Sequence, residues 1–177
     1  MGDGSTRKAV IAVCVCSVLS VVGTEAQTRE GFQIDLGLGV GSLAQDGLDT
    51  QTGLSGYVGL GIDLSEKFVG AVEASVWKGS GRGSPTRSLF RLALYFYLVA
   101  GSGPVFKVAW EFDRLTRDRS GERSSISGQA LGVGAGYDFI LGERLSVRPM
   151  LYFAIGDLAG GITTFAEVTV GLSWRPG

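Results

Sequence analysis

The sequence predicts an all-β fold, an eight-stranded antiparallel up-and-down barrel that follows a cleavable signal peptide. Three observations favour this fold. Apolar and polar residues alternate in eight segments, which is typical of strands because successive side chains point to opposite faces. Glycine supplies 29 of the 177 residues, and many of these glycines lie on one face of the segments. No helical periodicity is present after residue 26.

The first 26 residues have the composition of a secretory signal peptide. Two basic residues close the first eight positions, the stretch 9–23 carries no charge, and a cut after Ala26 leaves a small residue at the cleavage site and Thr24 at the −3 position. A positive segment, an apolar segment and a small-residue cleavage site are the three parts of such a signal. The apolar stretch is shorter than the roughly 20 residues of a spanning helix. We therefore divide the chain into a signal peptide, 1–26, and a barrel domain, 27–177.

Each of the eight segments has one apolar face and one face of small or polar residues. In the first segment, Phe32 and Ile34 alternate with Gln33 and Asp35. Charges between the strand ends fall only on the second face. In chain order the predicted strands, each with two residues of its apolar face, are 31–41 (Phe32, Ile34), 54–64 (Val58, Leu60), 67–78 (Val72, Val76), 87–100 (Phe90, Leu92), 104–114 (Val108, Phe112), 127–141 (Leu131, Val133), 145–155 (Leu151, Phe153) and 162–174 (Val168, Val170).

Lipid rather than water is predicted to face the apolar sides of these strands. The segments run to about 10–14 residues, which suits membrane strands of roughly 9–11 residues better than soluble strands of roughly 5–6. A glycine-rich polar face fits a narrow barrel interior, and aromatic residues such as Phe90, Phe112 and Phe153 lie near strand ends. The alternative is a soluble sandwich or lipocalin-type barrel with its apolar faces turned inward.

The polar faces predict a network of charges in the lumen. Seven acids and three bases fall on them. Charges in a narrow, dry interior must be paired and hydrogen-bonded, so the excess of acids predicts that some carboxylates reach trapped water or stay protonated. The residues of the predicted network are Asp35, Asp63, Glu73, Arg91, Lys107, Glu111, Asp113, Asp138, Arg148 and Glu167.

The connections predict the orientation of the barrel. Long stretches at 42–53, 79–86 and 115–126 alternate with short ones. Barrels of the Gram-negative outer membrane have long loops outside and short turns in the periplasm. Because the number of strands is even, both termini are then expected in the periplasm.

Arginines cluster in the predicted external loops. Arginine donates two parallel hydrogen bonds to phosphate or carboxylate. The cluster therefore predicts contact with the phosphates of lipopolysaccharide, or with an anionic partner such as a sulfated glycan or a host protein. Its members are Arg82, Arg87, Arg114, Arg117, Arg119 and Arg123.

Two local stretches add a family resemblance to the eightfold alternation. GVGAGYDF at 132–139 and VGLSWRP at 170–176 make the chain similar to the small outer-membrane β-barrels that include the OmpA membrane domain, OmpX and Ail. The resemblance covers 27–177. It implies an envelope or surface role and a C-terminal signal that the barrel-assembly machinery reads, although Pro176 occupies the position of its final aromatic residue. The residues that match this signal are Thr169, Gly171 and Trp174.

The residue types argue against catalysis and against bound cofactors. The chain contains no histidine, so no imidazole is available as a general base or for a Ser-His pair. Lys107, Glu111 and Asp113 share one face of the fifth strand, where we expect ion pairs. No metal-ligand spacing recurs, and the glycine strings lack the helix that a nucleotide loop requires. A net charge of −1 does not favour nucleic-acid binding.

Two positions fit the pattern poorly. Pro149 falls in mid-strand and cannot donate a ladder hydrogen bond, which predicts a bulge or a local break near Arg148 and Pro149. Trp77 has inward parity, which predicts that the third strand slips before its loop.

The function predicted from the sequence is that of a monomeric outer-membrane barrel with a structural or surface-interaction role. Two alternatives remain open at this point: a narrow pore or transport barrel for small solutes, and a soluble periplasmic barrel that binds an apolar ligand.

Overall fold

The computed structural model describes residues 31–45, 49–80, 85–100, 102–119, 122–158 and 161–176. The segment 1–26, predicted to be a signal peptide, lies outside these residues. Across the described ranges no helix is long and apolar enough to cross a membrane. The strands are β1 Phe32–Gln45, β2 Gln51–Ser65, β3 Phe68–Gly79, β4 Thr86–Val99, β5 Ser102–Arg119, β6 Glu122–Ile140, β7 Leu145–Leu158 and β8 Gly161–Trp174.

The eight strands form a closed barrel in which every strand pairs antiparallel with its neighbours along the chain, and β1 pairs with β8. This confirms the predicted fold. The start of β1 and the end of β8 lie together, since Ile34 pairs with Trp174, and we call this side the termini end. The opposite side, where β5 and β6 extend furthest, is the hairpin end.

Apolar side chains cover the outside of the barrel, and charged side chains fill the inside. Leu38 on the outer surface is 76% exposed, whereas Glu111 in the interior is 0% exposed. Water would penalise such an outer surface, and hydrocarbon favours it. The alternative with the apolar faces turned inward is therefore wrong.

The strands at the hairpin end are longer than predicted. The stretch 115–126, predicted to be a loop, belongs almost entirely to β5 and β6, whose pairing continues to Arg119 and Glu122. The stretch has the charges and serines typical of a loop, because this part of the hairpin lies beyond the lipid. The alternation nevertheless continues, since Leu115 is 1% exposed and Ile126 packs against the buried cluster.

Near Arg148 and Pro149 the structure has a local break, one of the two irregularities predicted there, and no bulge. Gly136 pairs with Met150 and Phe139 pairs with Val147 in the same register, so the β6–β7 ladder is interrupted without a shift. Pro149 still pairs with Val170 on its other side. The missing donor is tolerated because it removes ladder bonds on one side only.

Trp77 does not mark a slip of β3. The β2–β3 register continues unchanged to the pair of Gly53 and Gly79. The indole is fully buried in the lumen, and its N–H donates to the carbonyl of Gly41 at 3.1 Å. Gly79 leaves the room that the ring occupies, because a Cβ there would lie 2.7 Å from the indole.

Candidate functional site

The structure places all ten residues of the predicted lumen network on the inner face of the barrel. Nine of them are buried, and Asp63 is half-buried. Two further arginines are buried with them, Arg87 at 1% and Arg175 at 7% exposure. Among the described residues, five buried cations therefore face six buried carboxylates. The charge imbalance is smaller than the sequence analysis indicated.

Arg91 lies at the centre of the network and contacts carboxylates from three other strands. Its Nε donates to Glu111 Oε1 at 2.5 Å, its Nη2 lies 3.4 Å from Glu167 Oε2, and its Nη1 lies 3.6 Å from Glu73 Oε2. Tyr152 donates its hydroxyl proton to the same oxygen of Glu111 at 2.9 Å. One guanidinium thus links β3, β4, β5 and β8 through the lumen.

Lys107 is enclosed by tyrosine rings. Its Nζ donates to Glu73 Oε2 at 2.6 Å, and Tyr95 donates its hydroxyl proton to the other oxygen of Glu73. The ammonium lies 5.2 Å from the ring centre of Tyr95, 5.0 Å from that of Tyr152 and 6.0 Å from that of Tyr57. Aromatic faces stabilise a cation at this range.

Arg87 corrects the sequence analysis, which placed it in an external loop. Its Nη2 donates to Glu111 Oε2 at 2.6 Å and to Asp113 Oδ2 at 2.8 Å, and its guanidinium lies 4.3 Å from the ring centre of Phe165. Its parity, shared with Leu89 and Arg91, was the signal for an inward side chain. Its position at the end of the strand obscured that signal.

Apolar side chains close the lumen at the hairpin end. Trp77 meets Phe165 edge to face at 6.0 Å. The sequence did not predict this layer, because small or polar residues were expected on every inner face. The buried apolar residues near this end, each no more than 3% exposed, are Leu43, Trp77, Leu115, Leu158 and Phe165.

A second group of charges lies near the termini end. Arg148 Nη2 donates to Tyr97 Oη at 2.7 Å and to Asp138 Oδ2 at 3.1 Å. Arg148 Nη1 lies 3.7 Å from Asp35 Oδ1.

Arg175, just after β8, turns its side chain into the same group. Its Nη2 donates to Gln33 Oε1 at 3.2 Å and lies 3.7 Å from Asp138 Oδ2. This residue was missed because it follows the last predicted strand. Its parity with Ser173 was the available signal.

The buried acids and bases of the lumen neutralise one another's charge. Lys107 forms an ion pair with Glu73, and Glu111 and Asp113 form ion pairs with arginines. Among the described residues, no group of acids, histidines or cysteines is arranged to hold a metal ion. Small residues allow the large ones to fit, since a Cβ on Gly37 would lie 2.1 Å from the nearest ring atom of Tyr57.

The remaining arginines of the predicted external cluster differ in setting. Arg114 is exposed and donates from Nε to Ser125 Oγ at 2.7 Å. Arg117 is half-buried and donates from Nη2 to Gln45 Oε1 at 3.0 Å. Because β1 and β5 lie on opposite sides of the barrel, this bond crosses its mouth. Arg119 and Arg123 lie in the paired ends of β5 and β6, and Arg82 lies outside the described residues.

The residues that match the C-terminal assembly signal lie along β8. Thr169 and Gly171 are buried in the lumen, and Trp174 is 42% exposed on the outer surface. Trp174 pairs with Ile34 on β1 and with Leu145 on β7, at the place where the barrel closes.

Comparison with known proteins agrees with this geometry. The profile of the family described as "Outer membrane protein beta-barrel domain" matches residues 11–175. The crystal structure of Neisserial surface protein A is 14% identical with a TM-score of 0.75, and the match covers 83% of this chain and 98% of that one. The structure of Ail, the attachment invasion locus protein of Yersinia pestis, is 12% identical with a TM-score of 0.54, covering 82% and 100%. No curated protein matches.

Proposed function

This chain belongs to the outer membrane protein beta-barrel domain family, whose members lie in the outer membrane of Gram-negative bacteria, and we propose that it acts there through its surface. In this proposal the barrel is a closed scaffold. Its hairpin end faces outward and holds anionic groups, in the first place the phosphates of lipopolysaccharide. Both termini then lie in the periplasm.

One observation carries the proposal: β5 and β6 extend beyond the other strands as a hairpin that carries arginines. These two strands have 18 and 19 residues, whereas the others have 12 to 15. The sequence places Arg117, Arg119 and Arg123 in this extension. Arginine suits phosphate because its planar fork donates two parallel hydrogen bonds.

The packed lumen supports a surface role over transport. An eight-stranded barrel has an interior just wide enough for side chains, and here Arg91, Lys107 and Tyr95 fill its middle at no more than 5% exposure. The apolar layer at the hairpin end adds a second obstruction. We therefore propose that the resting barrel does not conduct. We also propose no catalytic role for the buried lumen carboxylates, because arginines already form ion pairs with them.

Three further parts of the proposal concern export, assembly and oligomeric state. We propose that 1–26 is removed on export and leaves 27–177 as the mature barrel. Thr169, Gly171 and Trp174 are then the residues that the barrel-assembly machinery reads. The mature barrel is a monomer.

Binding to lipopolysaccharide tests the proposed function. The variant Arg119→Gln/Arg123→Gln removes two charges from the hairpin, and Lys67→Gln/Arg144→Gln removes two exposed charges at the termini end. With refolded full-length protein, we expect the first variant to weaken binding about tenfold, equivalent to about 1.4 kcal/mol, and the second to leave binding unchanged. Retained heat-modifiable gel mobility controls for folding. Equal binding by both variants and the unmodified protein would contradict the proposal.

A further inference from the structure

We propose that the lipid-facing flank of β3 to β6 at the hairpin end binds the phosphorylated headgroup of a membrane lipid. Lys78 and Arg114 are the cations of this site, and hydroxyl side chains on the same flank are additional donors. The inference rests on the proposed function, because it takes the hairpin end to lie at the outer leaflet. It differs by naming a second position, on the side of the barrel rather than in the hairpin.

The strand register places an aromatic row just below the site. Phe90 pairs with Phe112, and Phe112 pairs with Gln129. Directly paired residues on neighbouring strands point to the same face, and both phenylalanines are more than 40% exposed on the outside. Aromatic rings in such positions mark the boundary between hydrocarbon and headgroups.

Two polar rows follow directly above the aromatic row. In the first, Arg114 pairs with Ser88 on one side and with Ser127 on the other. These three side chains are exposed.

In the second row, Lys78 pairs with Thr86, and Thr116 pairs with both Thr86 and Ser125. Lys78 and Ser125 are exposed, and the two threonines are half-buried. Because neighbouring strands are about 4.8 Å apart, Lys78 on β3 and Arg114 on β5 are separated by a single strand. Two long cationic side chains can therefore approach one phosphorylated headgroup between them. We call these two rows the cationic belt.

Arg114 is oriented for this task. Within the described part of the chain, its hydrogen bond runs from Nε to Ser125 Oγ at 2.7 Å, and this bond fixes the plane of the guanidinium. The two terminal nitrogens form the fork that matches a phosphate. A lysine contributes a mobile point charge, and hydroxyls donate to the remaining oxygens.

A surface groove below the belt suits an acyl chain of the same lipid. It is lined by Trp110, Gln129, Ala130, Leu131 and Ile155 and has a volume of about 450 Å³. Trp110 stacks on Phe112 at 5.6 Å and donates from its indole N–H to Gln129 Oε1 at 3.2 Å. The indole is thereby held at one wall.

Two acidic residues border the belt by register. Asp118 follows Thr116 on the same face of β5 and pairs with Arg123, and the second lies on the strand next to β6. Asp157 on β7 pairs with Gln129 and is exposed. It sits level with the aromatic row, below the cations, and bounds the site on that side. Charge complementarity thus favours an anionic headgroup on β3 to β6 and disfavours one on β7.

The test compares two double variants with the same change in charge. Lys78→Gln/Arg114→Gln removes the belt cations, and Lys67→Gln/Arg144→Gln removes one lysine and one arginine at the opposite end. The probes are bisphosphorylated lipid A and the same lipid after removal of both phosphates. Each refolded full-length protein is mixed with a probe in detergent, and the retained lipid is measured by native mass spectrometry.

We expect the belt variant to retain about tenfold less bisphosphorylated lipid A, and the control variant to stay within about twofold of the unmodified protein. The dephosphorylated lipid should bind all three proteins equally. The inference is overturned if the belt variant matches the control, or if it loses both lipids to the same extent. Displacement of the lipid by millimolar inorganic phosphate would also overturn it, because the site would then recognise the free ion.

The experiment separates this inference from the proposed function. If Arg119→Gln/Arg123→Gln weakens binding to lipopolysaccharide and the belt variant leaves lipid A binding intact, the belt is wrong and the proposed function stands. If the belt variant alone loses its lipid, the flank rather than the hairpin is the binding surface. If neither variant has an effect, both proposals fail.

Discussion

Glu111 lies where three donors converge in the barrel interior. It accepts hydrogen bonds from Arg87, Arg91 and Tyr152, and its side chain is 0% exposed. Desolvating a carboxylate and two guanidiniums costs several kcal/mol for each ion, and mutual attraction offsets this cost only while every partner is present. The network is therefore sensitive to the loss of a single member.

The variant Glu111→Ala should destabilise the barrel by about 3–5 kcal/mol, because it leaves two buried arginines without a shared partner. Denaturant unfolding in micelles measures this change as a loss of free energy of unfolding. Glu66→Ala, at an exposed site between β2 and β3, is the matched control and should have no measurable effect. Equal stability of both variants would mean that the lumen charges are solvated rather than paired.

The sequence determined which residues enter the lumen but not which of them meet. Parity alone assigns Glu73, Arg91 and Glu111 to the inner face. Their contacts depend on the strand register, which the turns and loop lengths set and which the parity of one strand does not give. Arg87 illustrates a further limit of the sequence. A charged residue at the end of a strand cannot be distinguished from a loop residue, whether its side chain points into the lumen or away from it.

At the scale of secondary structure elements, the β5–β6 hairpin departs most from expectation. Strand interiors were predictable because lipid on one side and a narrow lumen on the other impose a strict alternation. Beyond the lipid this constraint ends, so the length of 115–126 as paired strand could not be predicted from polarity. A side-chain hydrogen bond from this hairpin also spans the opening, since Arg117 on β5 donates to Gln45 on β1.

Removing that contact should loosen the hairpin without opening the barrel. We expect Gln45→Ala to raise the rate of tryptic cleavage within 115–126 about fivefold, since a hydrogen bond to a partly exposed cation contributes about 1 kcal/mol. Thr50→Ala, in the neighbouring connection, is the control and should leave the rate unchanged. A rate unaffected by Gln45→Ala would show that the hairpin is held by its own ladder alone.

On the scale of the whole molecule, the outside of the barrel determines where it resides. A continuous apolar band of exposed leucine, valine and phenylalanine surrounds it, whereas soluble proteins rarely expose apolar patches of more than a few hundred Å². The alternation and the even number of strands were sufficient to predict this architecture. The orientation of the hairpin end relative to the cell is predicted separately, from the alternation of long and short connections.

Labelling of single cysteines tests the orientation. The two natural cysteines lie within 1–26, so the mature barrel of the proposal offers a cysteine-free background. A membrane-impermeant maleimide should label Ser125→Cys, at the hairpin end, on intact cells. It should label Glu66→Cys, at the termini end, only after the outer membrane is opened. The reverse pattern would invert the barrel and reject both the hairpin and the belt as outer-leaflet binding surfaces.

The inward turn of Arg175 has a consequence for how the barrel seals. Its guanidinium meets Gln33 from β1 and Asp138 from β6, and Gln33 is within reach only when the first and last strands are aligned as observed. A slip of one residue along this seam would reverse every side chain of β8, sending Arg175 toward lipid and Trp174 into a full lumen. An arginine facing hydrocarbon costs about 2–4 kcal/mol at mid-membrane and less near the edge. The last strand thus disfavours closure in the wrong register: a misaligned β1–β8 seam exposes the charge of Arg175 to lipid, and only the correct seam buries it.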